Sequence, residues 1–69
     1  MYTVYDHPKD YPHEYVVRRF EIRPNEVTGT AIYAHAATLA EVRRPLRGMG
    51  LSRIGRHESD DLVIVEVWL

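Results

Sequence analysis

"LVIVEVWL", residues 62–69, is the stretch on which the fold of this 69-residue chain turns. It is rich in β-branched and aromatic residues, which favour strands. Read with the two-residue period of a strand, Val63, Val65, Val67 and Leu69 form one unbroken apolar face. Leu62, Ile64 and Trp68 occupy the other, with Glu66 among them. At eight residues with a glutamate inside, it is far too short to cross a bilayer. A strand that is apolar on both sides is central and covered on both faces, or half buried in a partner. The rest of the chain therefore has to supply a sheet around this strand and a layer to lie on it.

The layer is written just upstream. "TLAE", 38–41, is a capping box in which Thr38 can bond the amide of Glu41 while Glu41 reaches back to the amide of Thr38. Leu39, Val42 and Leu46 then fall on one helical stripe, and Arg43, Arg44 and Arg47 lie mostly off it, toward the end where positive charge suits the helix dipole. Pro45 sits inside the pattern, and an interior proline costs about 3 kcal/mol, which predicts an end or a kink near Arg44. Gly48 or Gly50 is available as a left-handed cap.

The strands are written around it. "YTVY" (2–5) and "YVVRRFEI" (15–22) read as strands, the second with Val16, Arg18, Phe20 and Ile22 on one face and Tyr15, Val17, Arg19 and Glu21 on the other. "RPNEVTG" (23–29) reads as a turn-rich connection. "TAIYAHAA" (30–37) mixes strand and helix formers and reads as a short strand leading into the helix. "LSRIGR", "HESDD" and the terminal strand form a closing hairpin. The expected order is β-β-(β)-α-β-β: a single α+β domain, 1–69, whose antiparallel sheet of four to five strands carries one short helix packed across it.

Composition narrows the function. There is no cysteine, which excludes a disulfide scaffold, a thiol nucleophile and a cysteine-based zinc site. "MYTVYDHPKD" lacks the basic start and apolar run of a signal peptide, so a cytoplasmic protein with no membrane partner is expected. A net charge of −1 with a pI near 6.4 gives no global pull toward nucleic acid. The charge is nevertheless segregated. Residues 43–56 carry five arginines and no acid, and residues 58–66 carry Glu58, Asp60, Asp61 and Glu66 with no base, so the two blocks are expected to pair as neighbouring strands.

"DHPKDYPHEY", 6–15, holds potential metal ligands in Asp6, His7, Asp10, His13 and Glu14, which His35 or His57 could join. The spacing matches no metal pattern, and Pro8 and Pro12 stiffen the backbone, so a rigid connection with no metal or cofactor is expected. No nucleophile elbow or phosphate loop is present, and nothing in the sequence brings an acid–base pair together, so an enzyme is not expected. Eight arginines against one lysine, with five tyrosines, suit a protein interface. Two contact regions are expected: Arg43, Arg44, Arg47, Arg53 and Arg56, and, separately, Asp10, Tyr11, Asp60 and Asp61. The alternative is a small nucleic-acid binder using the arginine edge, with Tyr33 or Trp68 as a stacking face. If Leu62, Ile64 and Trp68 are exposed, they suit self-association, and a homodimer could form through the terminal strand or an edge strand.

The segments "VYDHPKDYPHEYVVRR" (4–19) and "ESDDLVIVEVWL" (58–69) resemble a pattern in very short uncharacterised bacterial and prophage proteins. There a proline often follows the paired acids, where this chain has Leu62. The resemblance covers both ends and is weak in the middle; it implies no activity and assigns no catalytic residue. It implies a mobile-element setting, in which some proteins of this size are anti-CRISPR inhibitors that block a protein or ribonucleoprotein complex stoichiometrically. That last step is analogy from size and setting.

Overall fold

A computed structural model describes residues 1–56 and 61–69, with the backbone alone for Ile22, Arg23 and residues 27–30. The elements are β1 (Tyr2–Asp6), β2 (Tyr15–Arg23), β3 (Glu26–Ala36), α1 (Leu39–Arg47), β4 (Arg53–Gly55) and β5 (Ile64–Trp68). All neighbouring strands are antiparallel, in the order β3-β2-β1-β5-β4, and the one helix packs against β2 and β3. This is the expected small α+β fold.

Three local expectations change. Only Pro24 and Asn25 turn between β2 and β3, since Arg23 already faces Glu26. The stretch 26–36 is one continuous strand, and Gly29, which looked like punctuation, lies opposite Phe20 beside a register shift. The alanines of β3 serve the layer above: Ala34 and Ala36 pack against the core beneath the helix, where small side chains let the helix approach.

The helix also runs past its proline. Pro45 lies on the exposed side, and the next residue, Leu46, is fully buried. Burying one leucine is worth about 2 kcal/mol or more, enough to hold most of a turn against a proline penalty of about 3 kcal/mol. Thr38 caps the start, accepting from the Glu41 amide at 3.2 Å, while the Glu41 carboxylate turns back to the Thr38 hydroxyl at 3.0 Å rather than to its amide. Gly50, at φ 69°, is the glycine that takes the left-handed conformation after the helix.

The terminal strand is second from the edge, between β1 and β4. Val4, Val17, Val42, Leu46 and Trp68 form the core on the helix side, with Tyr2, Tyr15, Leu39 and Leu51 packed around it. The strict alternation expected in β5 breaks at Val65. A register shift pairs Val4 with Glu66 but Tyr5 with Ile64, so Val65 turns toward the core and Ile64 moves to the opposite face.

Candidate functional site

Of the expected arginine region, Arg43 and Arg53 approach Glu66. This carboxylate is 3% exposed and takes two bonds from Arg43, Nε at 2.9 Å and Nη2 at 2.5 Å, and a third from Trp68 Nε1 at 2.7 Å. Arg53 Nη1 stands 3.9 Å away. Burial pushes the Glu66 carboxyl up, but the hydrogen bonds from Arg43 and Trp68, helped by the charges of Arg43 and Arg53, hold it below its ordinary 4.5. The same contact holds the Arg43 guanidinium above its usual value, against burial. The helix sits over β2 and β3, so this pair and Trp68 fill the rest of that face over β5. The segregated charge blocks thus meet inside the molecule at Arg43 and Glu66. Arg44, Arg47, Arg53 and Arg56 are exposed.

Two members of the second expected region, Asp10 and Tyr11, meet one face of the sheet. On the face of the sheet that carries no helix, the register lines up Ile54, Val67, Thr3, Arg18 and Ile32 in one row across all five strands. Ile64, Tyr5, Val16 and His35 form the next row. The segment between β1 and β2 folds onto the β2–β3 half of this face. Asp10 Oδ2 accepts from Arg18 Nη2 at 2.5 Å, Tyr11 lies against the His35 ring with centroids 5.3 Å apart, and Glu14 Oε2 meets His35 Nδ1 at 2.8 Å. The segment is tied to itself by three backbone bonds, His7 N to Glu14 O, Tyr11 N to Pro8 O and Glu14 N to Tyr11 O. It is a flap with closed ends.

Tyr5 stands where the flap meets the far turn. Burial holds its phenol above 10.0; Arg18 acts against this and Asp61 with it. Asp61 itself organises that turn, accepting from the Val63 amide through its side chain and from the Ile64 amide through its carbonyl. Asp10 and Tyr11 thus lie against Arg18 and His35 on the helix-free face, Asp61 stands in the turn before β5, and Asp60 lies outside the described residues.

His7 pairs with Asp6 and His35 with Glu14, and among the described residues no three histidine or carboxylate side chains gather to hold an ion. Among the described residues no helix is long and apolar enough to cross a membrane.

Toward β4 the other half of the helix-free face exposes apolar side chains, while Thr3 on β1 is only 3% exposed. Ile54 is 49% exposed and Leu69 48%, with Val67 and Ile64 half-buried beside them. Trp68, offered as part of an exposed patch, is 7% exposed and belongs to the core; Ile64 is half-buried on the face opposite to it, and Leu62, at 84% exposed, stands in the turn before β5. Sequence reasoning missed Arg18, His35 and Ile54 as members of one surface. The signal was the two-sided apolarity of 62–69, which required a second cover that a single helix does not supply.

The fold and this face define a class: a small α+β domain with one helix on one side of a five-stranded antiparallel sheet and an apolar, flap-bordered face on the other. Comparison with protein-family models, curated proteins and solved structures finds no match to the chain.

Proposed function

We propose that the chain is a small non-enzymatic protein-binding module, acting in the cytoplasm, whose docking surface is the half of the helix-free face toward β4. One observation carries this reading: Ile54 and Leu69, each about half exposed, stand beside Val67 and Ile64 of β5, the strand whose opposite side is packed into the core through Trp68. Contiguous apolar surface of this kind marks interaction sites. The flap residues Asp10 and Tyr11, with Arg18 of β2, border it and supply polar contacts for a rim. The finer reading is an inhibitor of the mobile-element kind that occupies a protein or ribonucleoprotein target. It rests on size and on the resemblance of the two end segments.

Direct nucleic-acid binding keeps Arg44, Arg47, Arg53 and Arg56, which are exposed, but loses Arg43 to Glu66. The test is capture from bacterial lysate with and without nuclease, using the wild type, an Ile54→Asp/Leu69→Asp variant and an Arg44→Glu/Arg47→Glu variant. The proposal expects a specific protein that survives nuclease, is lost with the first variant and is retained with the second. Capture that is unaffected by the apolar-face variant refutes it. Capture abolished by nuclease and by the arginine variant assigns the function to nucleic acid instead.

A further inference from the structure

The reading above leaves open what chemistry the partner brings, and we infer that it adds an extended strand, with alternating acidic and apolar side chains, to the free edge of β4. The inference rests on that reading and names the partner's chemistry. β4 ends the sheet on one side, and among the described residues β5 is its one partner strand. Ser52 and Leu69 exchange both backbone bonds, at 2.8 and 2.9 Å. Bonded and unbonded pairs alternate along an antiparallel ladder, so Ile54 turns its amide and carbonyl toward Val67, and Arg53 and Gly55 turn theirs outward. Two residues apart on one edge, these four groups are a template that one added strand satisfies.

The side chains around this edge set the partner's sequence. Arg53 lies on the helix side, in the row of Trp68 and Tyr2, and its side chain is 55% exposed. Arg56 follows the strand directly and is exposed. The acid beside Arg53 is Glu66, which already takes two bonds from Arg43 and one from Trp68, while Arg53 stands off at 3.9 Å. No acid occurs from residue 43 to residue 56. An acidic side chain opposite or diagonal to Arg53 on the added strand therefore meets a guanidinium with donors to spare. A Cβ at Gly55 would have nothing within 4 Å, so the helix side is open there for a second one. The residue between them points to the helix-free face, where Ile54 is 49% exposed, and an apolar side chain there extends the surface that Ile54 forms with Val67.

The length of β4 limits the strength. Three residues supply few main-chain bonds, so selectivity has to come from Arg53, Arg56 and Ile54. The opposite edge is a poorer acceptor despite its eleven residues. β3 carries two register shifts, which twist an edge away from flat pairing, and it has no arginine or lysine to select an acid.

Amide spectra of the full chain, titrated with three end-blocked heptapeptides, test this. The first peptide alternates valine with glutamate, the second alternates valine with lysine, and the third is the first with its glutamate amides N-methylated. The glutamate peptide is expected to shift the Arg53 and Gly55 amides and to slow their exchange. The lysine peptide is expected to bind at least about tenfold more weakly, and the N-methylated one likewise. Arg53→Gln/Arg56→Gln is expected to erase the preference for glutamate over lysine, with Trp68 fluorescence verifying that the variant is folded. The inference is overturned by a wild type whose Arg53 and Gly55 amides ignore millimolar glutamate peptide. Equal binding of the glutamate and lysine peptides, or undiminished binding of the N-methylated one, overturns it too. Its failure and that of the docking face read out separately. Lysate capture lost in Ile54→Asp/Leu69→Asp, with no peptide at β4, keeps the face and removes strand addition. A glutamate peptide held at β4, with capture indifferent to that variant, keeps the acceptor edge and removes the face.

Discussion

Val16 and Val17 are sequence neighbours, both without exposed surface, and they are buried by different things. Val17 points to the helix side and belongs to the cluster with Val4, Val42, Leu46 and Trp68, all carried on hydrogen-bonded elements. Val16 points the other way, with Tyr5 and His35 on either side in the register. There the cover comes from large side chains and from a flap clasped to Arg18 and His35. The first is a core made by secondary structure, and the second is a cover made by a loop. What the difference teaches is where this protein can change: a helix that leaves takes the fold with it, whereas a flap can shift while the sheet stands.

The same substitution on both faces gives the largest expected effect. Val17→Ala opens a cavity between elements that cannot easily collapse, at a cost of about 2–3 kcal/mol, a large part of the stability available to a domain of this size. Val16→Ala is expected to cost less, about 1–2 kcal/mol, because the flap and the tyrosine can settle into the space. Urea unfolding followed by Trp68 fluorescence measures both. Equal costs would mean that the flap is as rigid as the helix and would erase the distinction.

Glu66 tests the helix side from its polar component. Glu66→Gln keeps an acceptor for Trp68 Nε1 but leaves the Arg43 guanidinium, 19% exposed, without its counter-charge. Losing one member of a buried pair can cost 3–5 kcal/mol; Arg43 has some access to water, so about 1–2 kcal/mol is expected at neutral pH. The pH dependence has a definite sign. The folded carboxyl lies below its ordinary 4.5, so its contribution is present above that value and is lost as pH falls through it toward the folded value. The urea midpoints of wild type and variant are therefore expected to differ at neutral pH and to converge as pH falls from 4.5 through the lower folded value. A gap that stays constant through that range would place the effect in packing rather than in charge.

How much of this was legible follows the locality of each signal. The helix start was readable because Thr38 and Glu41 lie within one turn and need nothing distant. The strands at 2–5 and 15–22 were readable from alternation alone. The continuation past Pro45 was not, because what outweighs the proline is Leu46 inside a core assembled from four other elements. The break in alternation at Val65 depends on the pairing of β1 with β5, a partner more than fifty residues away, and no local pattern encodes it. The arginine block told only that charges must cancel. Which arginine is consumed was decided by the helix position over β2 and β3, which brings Arg43, and not Arg44, to Glu66. For the opening loop the stiffness was legible from Pro8 and Pro12, but its fold onto Arg18 and His35 was not.

The smallest expected effect bears most directly on the flap. Asp10→Asn removes the carboxylate charge facing Arg18 in a pair whose side chains are 48% and 36% exposed. Solvent and salt screen such pairs, and the change in global stability is expected to stay below about 1 kcal/mol. Local opening is a separate quantity: a segment can open at a small fraction of the free energy that unfolds the domain. Amide exchange at His7, Tyr11 and Glu14, whose N–H groups close the flap on itself, is therefore expected to quicken in Asp10→Asn while the β1 and β5 amides keep their protection. If those amides accelerate with the flap, the clasp is part of the global fold, and the helix-free face has no separately movable cover. If neither changes, the Tyr11–His35 and Glu14–His35 contacts hold the flap without Asp10, and His35 becomes the residue on which its position depends.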